Sequence, residues 1–348
     1  MRIAILSHGA SGGGSERVCT LIANSLVEKG YEVFFYAIHS DKREYYIDER
    51  VHYVYGDCQG KNKGIRFIKR VLKLRHFLRK EHIDAFISFI YEEGLAAYKN
   101  RKIRKIFSLR NDPNRIQQSK KKLIESLYAD ADQVVFQTED AKNFFDQSIS
   151  SHGVVIPNPI LDNLPTWDKD DHRKEIIAAG RLSKQKNFNM LLRAFASFSR
   201  THEDYDLVIC GEGNLLGELQ ALAKELGVSD KVRFPGHVED LHERMVKSAI
   251  YVSSSDFEGL SNSMLEALAI GIPTICTDCP IGGARAYIKD GENGYLVPVN
   301  DSDSLSKKMS ALADDENLCR SFSAQSQKIK DELSTLAICN RWEEVLKG

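Results

Sequence analysis

The 348-residue chain lacks any apolar run near the roughly 20 residues a membrane-spanning helix needs, so no span is expected. Low-complexity tracts and short-period repeats are also missing, which excludes fibrous, solenoid and disordered classes. Net charge is almost absent, at -1, and no nucleic-acid partner is expected. The opening MRIAILSHGA turns glycine-rich too early for a secretory leader and reads as a first strand. The cysteines are seven, an odd and scattered set. That excludes a disulfide framework and suits buried thiols in a reducing cytosol. Cys276-Thr-Asp-Cys279 has C-x-x-C spacing, but no second ligand pair accompanies it, so ordinary buried thiols are expected there.

What is present is 42% hydrophobic residues, enough for real cores, at a length that suits two domains. Residues 1–160 hold 26 Lys and Arg against 19 Asp and Glu; the remaining 188 hold 22 against 30. A basic half (+7) is therefore joined to an acidic half (-8), which points to different partners for the two halves.

Short apolar runs alternate with helical patterns throughout. Strands are expected at Ile3–Ser7, Val33–Ile38, Val51–Tyr55, Ala85–Ile90, Ile106–Leu109, Val134–Gln137 and Val154–Ile156. A proline-rich, charged stretch, IPNPILDNLPTWDKDDHRK, reads as a linker. The alternation then restarts, with strands at Ile176–Ala179, Leu207–Cys210, Val232–Phe234, Ile250–Ser253, Thr274–Thr277 and Tyr295–Val297. Helices are expected at Phe188–Ser199, Leu215–Leu226, Leu241–Ser248, Asn262–Ala269 and Ser304–Ala313, and the stretch from Glu316 to Lys347 reads as helical. Strands separated by helices imply parallel sheets. The fold class is α/β, with two doubly wound, Rossmann-like domains facing across a cleft: residues 1–160, residues 161–330, and a C-terminal helix, 331–348, returning to the first domain.

Five segments could carry chemistry. SHGASGGGSERV follows strand one and opens a helix; Gly13 and Gly14 let backbone amides approach an anion, although a flexible turn fits equally. The third glycine of a dinucleotide fingerprint is missing, which disfavours a dehydrogenase. In AAGRLSKQKNF, Arg181 and Lys186 stand at a strand's carboxyl end and suit a diphosphate, although ordinary surface cations fit the pattern too. VICGEGNLLGELQ places Gly211 at another strand–helix turn, with or without a ligand. In SSSDFEGLSNSMLEALAIGIPTICTD, Glu258 precedes Gly259, Leu260 and Ser261, whose amides open a helix, and Glu266 interrupts that helix's apolar residues. If Glu266 lines the cleft it needs donors, which sugar hydroxyls supply; otherwise it is a solvated glutamate. Last, residues 61–80 hold nine Lys and Arg and no acid. Two apolar stripes, Ile65/Ile68/Leu72 and Phe67/Val71/Leu74/Leu78, run along that helix. It fits either an anionic membrane surface or a solvated basic face.

Taken in order, these segments resemble the retaining, nucleotide-sugar glycosyltransferases of family 4, with the GT-B fold and its E-x7-E signature. VIPNP is similar to the family's interdomain segment, GEG and RFPGHV to its nucleotide pocket, and GGARAYIKDGENGYLVPVND to its C-terminal signature. The resemblance implies that Glu266 binds the donor's ribose and Glu258 the donor sugar's hydroxyls. It further implies that the amides of Gly259, Leu260 and Ser261, with Arg181 and Lys186, hold and neutralise the leaving diphosphate without a metal. Gly13, Gly14, Gly211, Gly236, His237 and Val238 are implied in donor binding.

Many members carry a histidine where this chain has Arg110, a poor general base. Arg110 and Asn111 are therefore expected on the acceptor side. The resemblance implies transfer of a hexose or N-acetylhexosamine, UDP-linked, to a lipid-linked glycan in capsule or exopolysaccharide assembly, with no cofactor. A cytoplasmic chain, or one peripheral on the inner face of the membrane, is expected. A soluble small-molecule or protein acceptor stays open, as does a non-catalytic scaffold. The scaffold would be expected to lose Glu258, Arg181 or Lys186, and all three are present.

Overall fold

Mostly apolar strands of three to seven residues, set between helices, assemble into two separate parallel sheets in the computed structural model, which describes residues 1–58 and 62–348. The chain divides into two units, Met1–Pro159 with Thr335–Gly348, and Ile160–Ser334.

In the first unit the strands are β1 (Arg2–Ser7), β2 (Glu32–Ala37), β3 (His52–Tyr55), β4 (Ala85–Ser88), β5 (Arg104–Ser108), β6 (Gln133–Phe136) and β7 (Gly153–Val155). They lie in the order β3-β2-β1-β4-β5-β6-β7, every pair parallel. The helices are α1 (Gly14–Glu28), α2 (Lys63–Lys80), α3 (Gln118–Ala129), α4 (Glu139–Asn143) and α5 (Gln147–Ser150). Central strands such as Ala85–Ser88 are buried on both faces, as a doubly covered sheet requires. The strand order reverses between β1 and β4, and the glycine-rich turn follows β1 at that point.

The second unit holds β8 (Arg173–Ala179), β9 (Asp206–Cys210), β10 (Val232–Gly236), β11 (Ser248–Ser253), β12 (Thr274–Thr277) and β13 (Tyr295–Val297), in the order β10-β9-β8-β11-β12-β13. These pairs too are all parallel. Its helices are α6 (Phe188–Phe198), α7 (Leu216–Glu225), α8 (Leu241–Val246), α9 (Asn262–Ile270), α10 (Ser302–Asp314), α11 (Glu316–Ser326) and α12 (Ile329–Glu332). Here the order reverses between β8 and β11. Helix α9 ends sharply because Gly271 takes φ 91°, and a Cβ there would collide with Ser323 and Gln327.

The stretch from Glu316 to Lys347, expected to be helical, forms three successive helices. It breaks after α11 and again after α12, and α13 (Thr335–Lys347) belongs to the first unit. There Trp342 is fully buried and stacks on Phe89, and Lys29 bridges Glu343 at 2.6 Å. Mixed charge along this stretch carries no cap that marks the break. The proline-rich stretch contains the division between the two units, at Pro159 and Ile160, and it is packed rather than loose: Trp167 is buried and its indole N–H donates to the Ser248 carbonyl at 2.8 Å. All seven cysteines are free, and burial raises the Cys276 and Cys279 thiols, the latter to about 11.

Candidate active site

Ligands of open parallel sheets bind beyond the strands' carboxyl ends where the order reverses. In the second unit the loops leaving β8 and β11 flank that point. Lys186, in the β8 loop, places Nζ 2.5 Å from Glu258 Oε1, in the β11 loop. Ser255 Oγ donates to the same carboxylate oxygen at 2.9 Å. The two loops are held together independently of that pair. The Asp256 amide donates to the Gln185 carbonyl at 2.8 Å, Ser254 Oγ to the Lys186 carbonyl at 2.9 Å, and Asn187 Nδ2 to Asp256 Oδ1 at 2.6 Å. Asn187 sits at φ 41°, a left-handed position asparagine tolerates, and its side chain also caps α6. Arg181, just past Gly180, is exposed.

A pocket beside Glu258 is lined by Ser255, Ser261, Thr277, Cys276 and Cys279. Gly259, Leu260 and Ser261 lead into α9, whose N-cap is Ser261, its hydroxyl accepting from the Met264 amide at 3.4 Å. A helix start close to the Lys186–Glu258 pair favours an anion.

Glu266 is 2% exposed, within a helix buried from Met264 to Ile270, so it is not a solvated glutamate. His242 on α8 lies with Nε2 2.9 Å from Glu266 Oε2. An ionised carboxylate only accepts, so His242 Nε2 carries the proton. His242 was not among the residues expected from sequence; it lies 24 positions upstream on a different helix, and no local pattern links the two.

Gly180, Gly211 and Gly236 close the carboxyl edges of β8, β9 and β10. The Gly211 amide donates to the Gly236 carbonyl at 2.7 Å, and a Cβ at Gly211 would stand 2.0 Å from the Gly180 carbonyl oxygen. Glycine is thus required at 211 for backbone-to-backbone packing whether or not a ligand binds. His237 is exposed and Val238 half-buried at the end of the same edge. Gly283, also absent from the expected set, packs against Gly259: a Cβ there would lie 2.1 Å from the Gly259 carbonyl oxygen.

Gly13, Gly14, Arg110 and Asn111 all belong to the first unit. Gly13 is the N-cap of α1, and the Glu16 carboxylate folds over the space where its Cβ would be. Arg110 lies over the rings of Phe89 and Trp342, its Cζ 5.0 and 5.4 Å from their centroids. Nη1 donates to Asn158 Oδ1 at 3.1 Å, and burial lowers the guanidinium to about 10. Its Nε and Nη2 have no partner among the described residues. Asn111 is exposed, its Oδ1 accepting from the Asp112 amide at 2.9 Å.

Of the basic segment 61–80, Lys61 lies outside the described residues; the rest forms α2, capped by Asn62. Leu74 and Leu78 are buried in the core, with Val71 and Phe77 packed against it. Ile65, Ile68 and Leu72, spaced along one face, are 55%, 58% and 57% exposed. Lys69 and Lys73 are exposed beside them. No helix among the described residues is long and apolar enough to cross a membrane.

The model of glycosyl transferases group 1 matches residues 162–329, and that of Glycosyltransferase Family 4 matches residues 12–162. The chain is 30% identical, over 92% of both chains, to the N-acetylgalactosamine-N,N'-diacetylbacillosaminyl-diphospho-undecaprenol 4-alpha-N-acetylgalactosaminyltransferase of Campylobacter jejuni. It is 24% identical, over 99% of both, to the amylovoran biosynthesis glycosyltransferase AmsD of Erwinia amylovora. Among solved structures, Anabaena HepE in complex with UDP and glucose matches with a TM-score of 0.85 at 18% identity, over 99% of both chains.

Proposed function

The chain belongs to the family 4 glycosyltransferases of GT-B fold, and from that premise we propose that it moves a hexose or N-acetylhexosamine from UDP to a hydroxyl of a lipid-linked glycan, with retention at the anomeric carbon. The observation that carries this reading is the Lys186–Glu258 pair at the reversal point of the second sheet, beside the α9 N-terminus.

In this reading the donor's diphosphate lies against the amides of Gly259 to Ser261. Arg181 and Lys186 meet the negative charge that grows on the diphosphate as the glycosidic bond breaks. Glu258 accepts from the donor sugar's hydroxyls, which also keeps Lys186 oriented. Glu266, held by His242, accepts from the ribose hydroxyls. The positive charge that faces the diphosphate comes from side chains and helix-end amides, so no divalent metal is required. The acceptor is assigned as lipid-linked because the Campylobacter relative's name describes a diphospho-undecaprenol substrate and because α2 turns an apolar stripe flanked by cations to solvent. That helix would seat the enzyme on the inner, anionic face of the membrane.

The test is UDP release from a panel of UDP-sugars, with the product's anomeric configuration read by NMR, in EDTA and in Mg²⁺. Release in EDTA and a retained configuration are expected. Inversion, or activity only with metal, would overturn the mechanism, and no release from any nucleotide sugar would favour a non-catalytic binding protein.

A further inference from the structure

Away from the donor loops, the carboxyl edge of the first sheet holds a chain of four polar side chains in which Arg70 donates both ways, to Glu93 on one side and towards His39 and His8 on the other. Glu93, after β4, is buried and pairs with Arg70 Nη2 at 3.2 Å. Arg70 Nη1 lies 2.6 Å from His39 Nε2, and His39 Nδ1 lies 2.8 Å from His8 Nδ1. Arginine has no acceptor, so His39 Nε2 must accept. The proton of neutral His39 is then on Nδ1, and His8 Nδ1 must accept it. His8 is left with its proton on Nε2. The imidazoles are further fixed by the backbone, since the His39 and Ser40 amides both donate to the His8 carbonyl.

An exposed histidine in water samples both tautomers; His8 is exposed, yet it is held as an Nε2–H donor with no partner for that atom among the described residues. It stands beside the reversal point of the first sheet, directly after β1. Nearby, α2 carries Arg66 and Arg70 one turn apart, and both charges bear on His39. The Nε atoms of both arginines are buried without a hydrogen-bond partner among the described residues. Buried donors left unpaired are rare in folded proteins and point to a missing acceptor.

We infer that His8, Arg66 and Arg70 form a binding site for a phosphate-type oxyanion in the first unit, with His8 oriented as a donor through Glu93, Arg70 and His39. The inference rests on the proposed function for the ligand's identity: in a transferase with a lipid-linked acceptor, the oxyanion is the acceptor's own phosphate or diphosphate. Membrane headgroups offer the same chemistry, so the test separates the two.

The full chain, ¹⁵N-labelled at histidine, is followed by long-range ¹⁵N–¹H NMR. The expected spectrum shows His8 protonated on Nε2 and His39 on Nδ1. Inorganic pyrophosphate should shift the His8 signals saturably, and R66Q should weaken that binding about tenfold, as loss of one charge-assisted contact implies. A His8 that exchanges between tautomers, or that ignores both pyrophosphate and phosphatidylglycerol vesicles, would overturn the inference. So would an R66Q variant that binds as wild type does. Phosphatidylglycerol vesicles form the second arm: a His8 response to vesicles but not to pyrophosphate would assign the site to the membrane and reject the acceptor. UDP release, measured on the same sample without acceptor, reads the donor site alone, so failure of one reading is seen independently of the other.

Discussion

Lys186 and Glu258, 72 positions apart in sequence, meet at 2.5 Å where the order of the second sheet reverses. Both side chains are mostly buried, so each sets the other's orientation. Lys186→Ala is expected to remove roughly 2–4 kcal/mol of transition-state stabilisation, comparable to deleting an oxyanion donor. Glu258→Gln should lower kcat more than it changes donor KM. Because the groups touch, the double variant should fall short of the sum of the two effects. Steady-state kinetics with the best UDP-sugar checks this; activity within threefold of wild type for Lys186→Ala would remove the residue from the mechanism.

The buried Glu266–His242 pair makes a different prediction. Glu266→Gln should raise donor KM more than it lowers kcat, as a ribose contact requires. His242→Ala should do the same and also destabilise the fold by about 1–3 kcal/mol, since a buried carboxylate loses a donor. His242→Gln, which keeps a donor, should recover part of both losses. A fall in kcat at constant KM would mean that Glu266 faces the transferred sugar instead.

Gly211 has φ 137° and packs on the Gly180 backbone. Gly211→Ala forces a methyl against a carbonyl oxygen that cannot rotate away, so a loss on the order of 1–3 kcal/mol is expected. Thermal denaturation should show a lowered Tm even without nucleotide. An unchanged Tm would mean that the loops separate freely.

Helix α2 should separate folding from membrane attachment. Ile65, Ile68 and Leu72 are exposed, so changing all three to serine should alter stability by less than about 1 kcal/mol. Sedimentation with anionic vesicles should nevertheless be lost, because the apolar face no longer enters the lipid. Lys69→Glu with Lys73→Glu should weaken binding mainly at low salt. Equal sedimentation of wild type with neutral and anionic vesicles, or none with either, would count against the peripheral assignment.

His39 gives stability a pH dependence. Burial, then His8, Arg70 and Arg66, lower it from 6.5 to about 4, and Glu92 opposes them. Between those values the unfolded chain binds a proton that the folded chain refuses. The contribution is therefore complete above about pH 6.5 and is lost as pH falls towards 4. Denaturant melts at several pH values should show that decline, and His39→Asn should flatten it. The same slope in both proteins would assign it to another group.

The sequence by itself determined the alternation of strand and helix, hence the two doubly wound sheets, and it located Arg181, Lys186, Glu258 and Glu266 at strand ends or helix starts. Those features are written in patterns only a few residues long: period, caps, glycines and the spacing of the two glutamates. Partnerships came from the tertiary structure alone. That Lys186 meets Glu258, that His242 holds Glu266, that Arg70 reaches His39, and that α13 rejoins the first unit all depend on which strands and helices become neighbours. The two apolar stripes of α2 look alike in sequence, and packing against the core decided that Leu74 and Leu78 turn inward while Ile65, Ile68 and Leu72 face solvent. Periodicity fixes which residues share a face, but only the positions of other elements decide which face is covered.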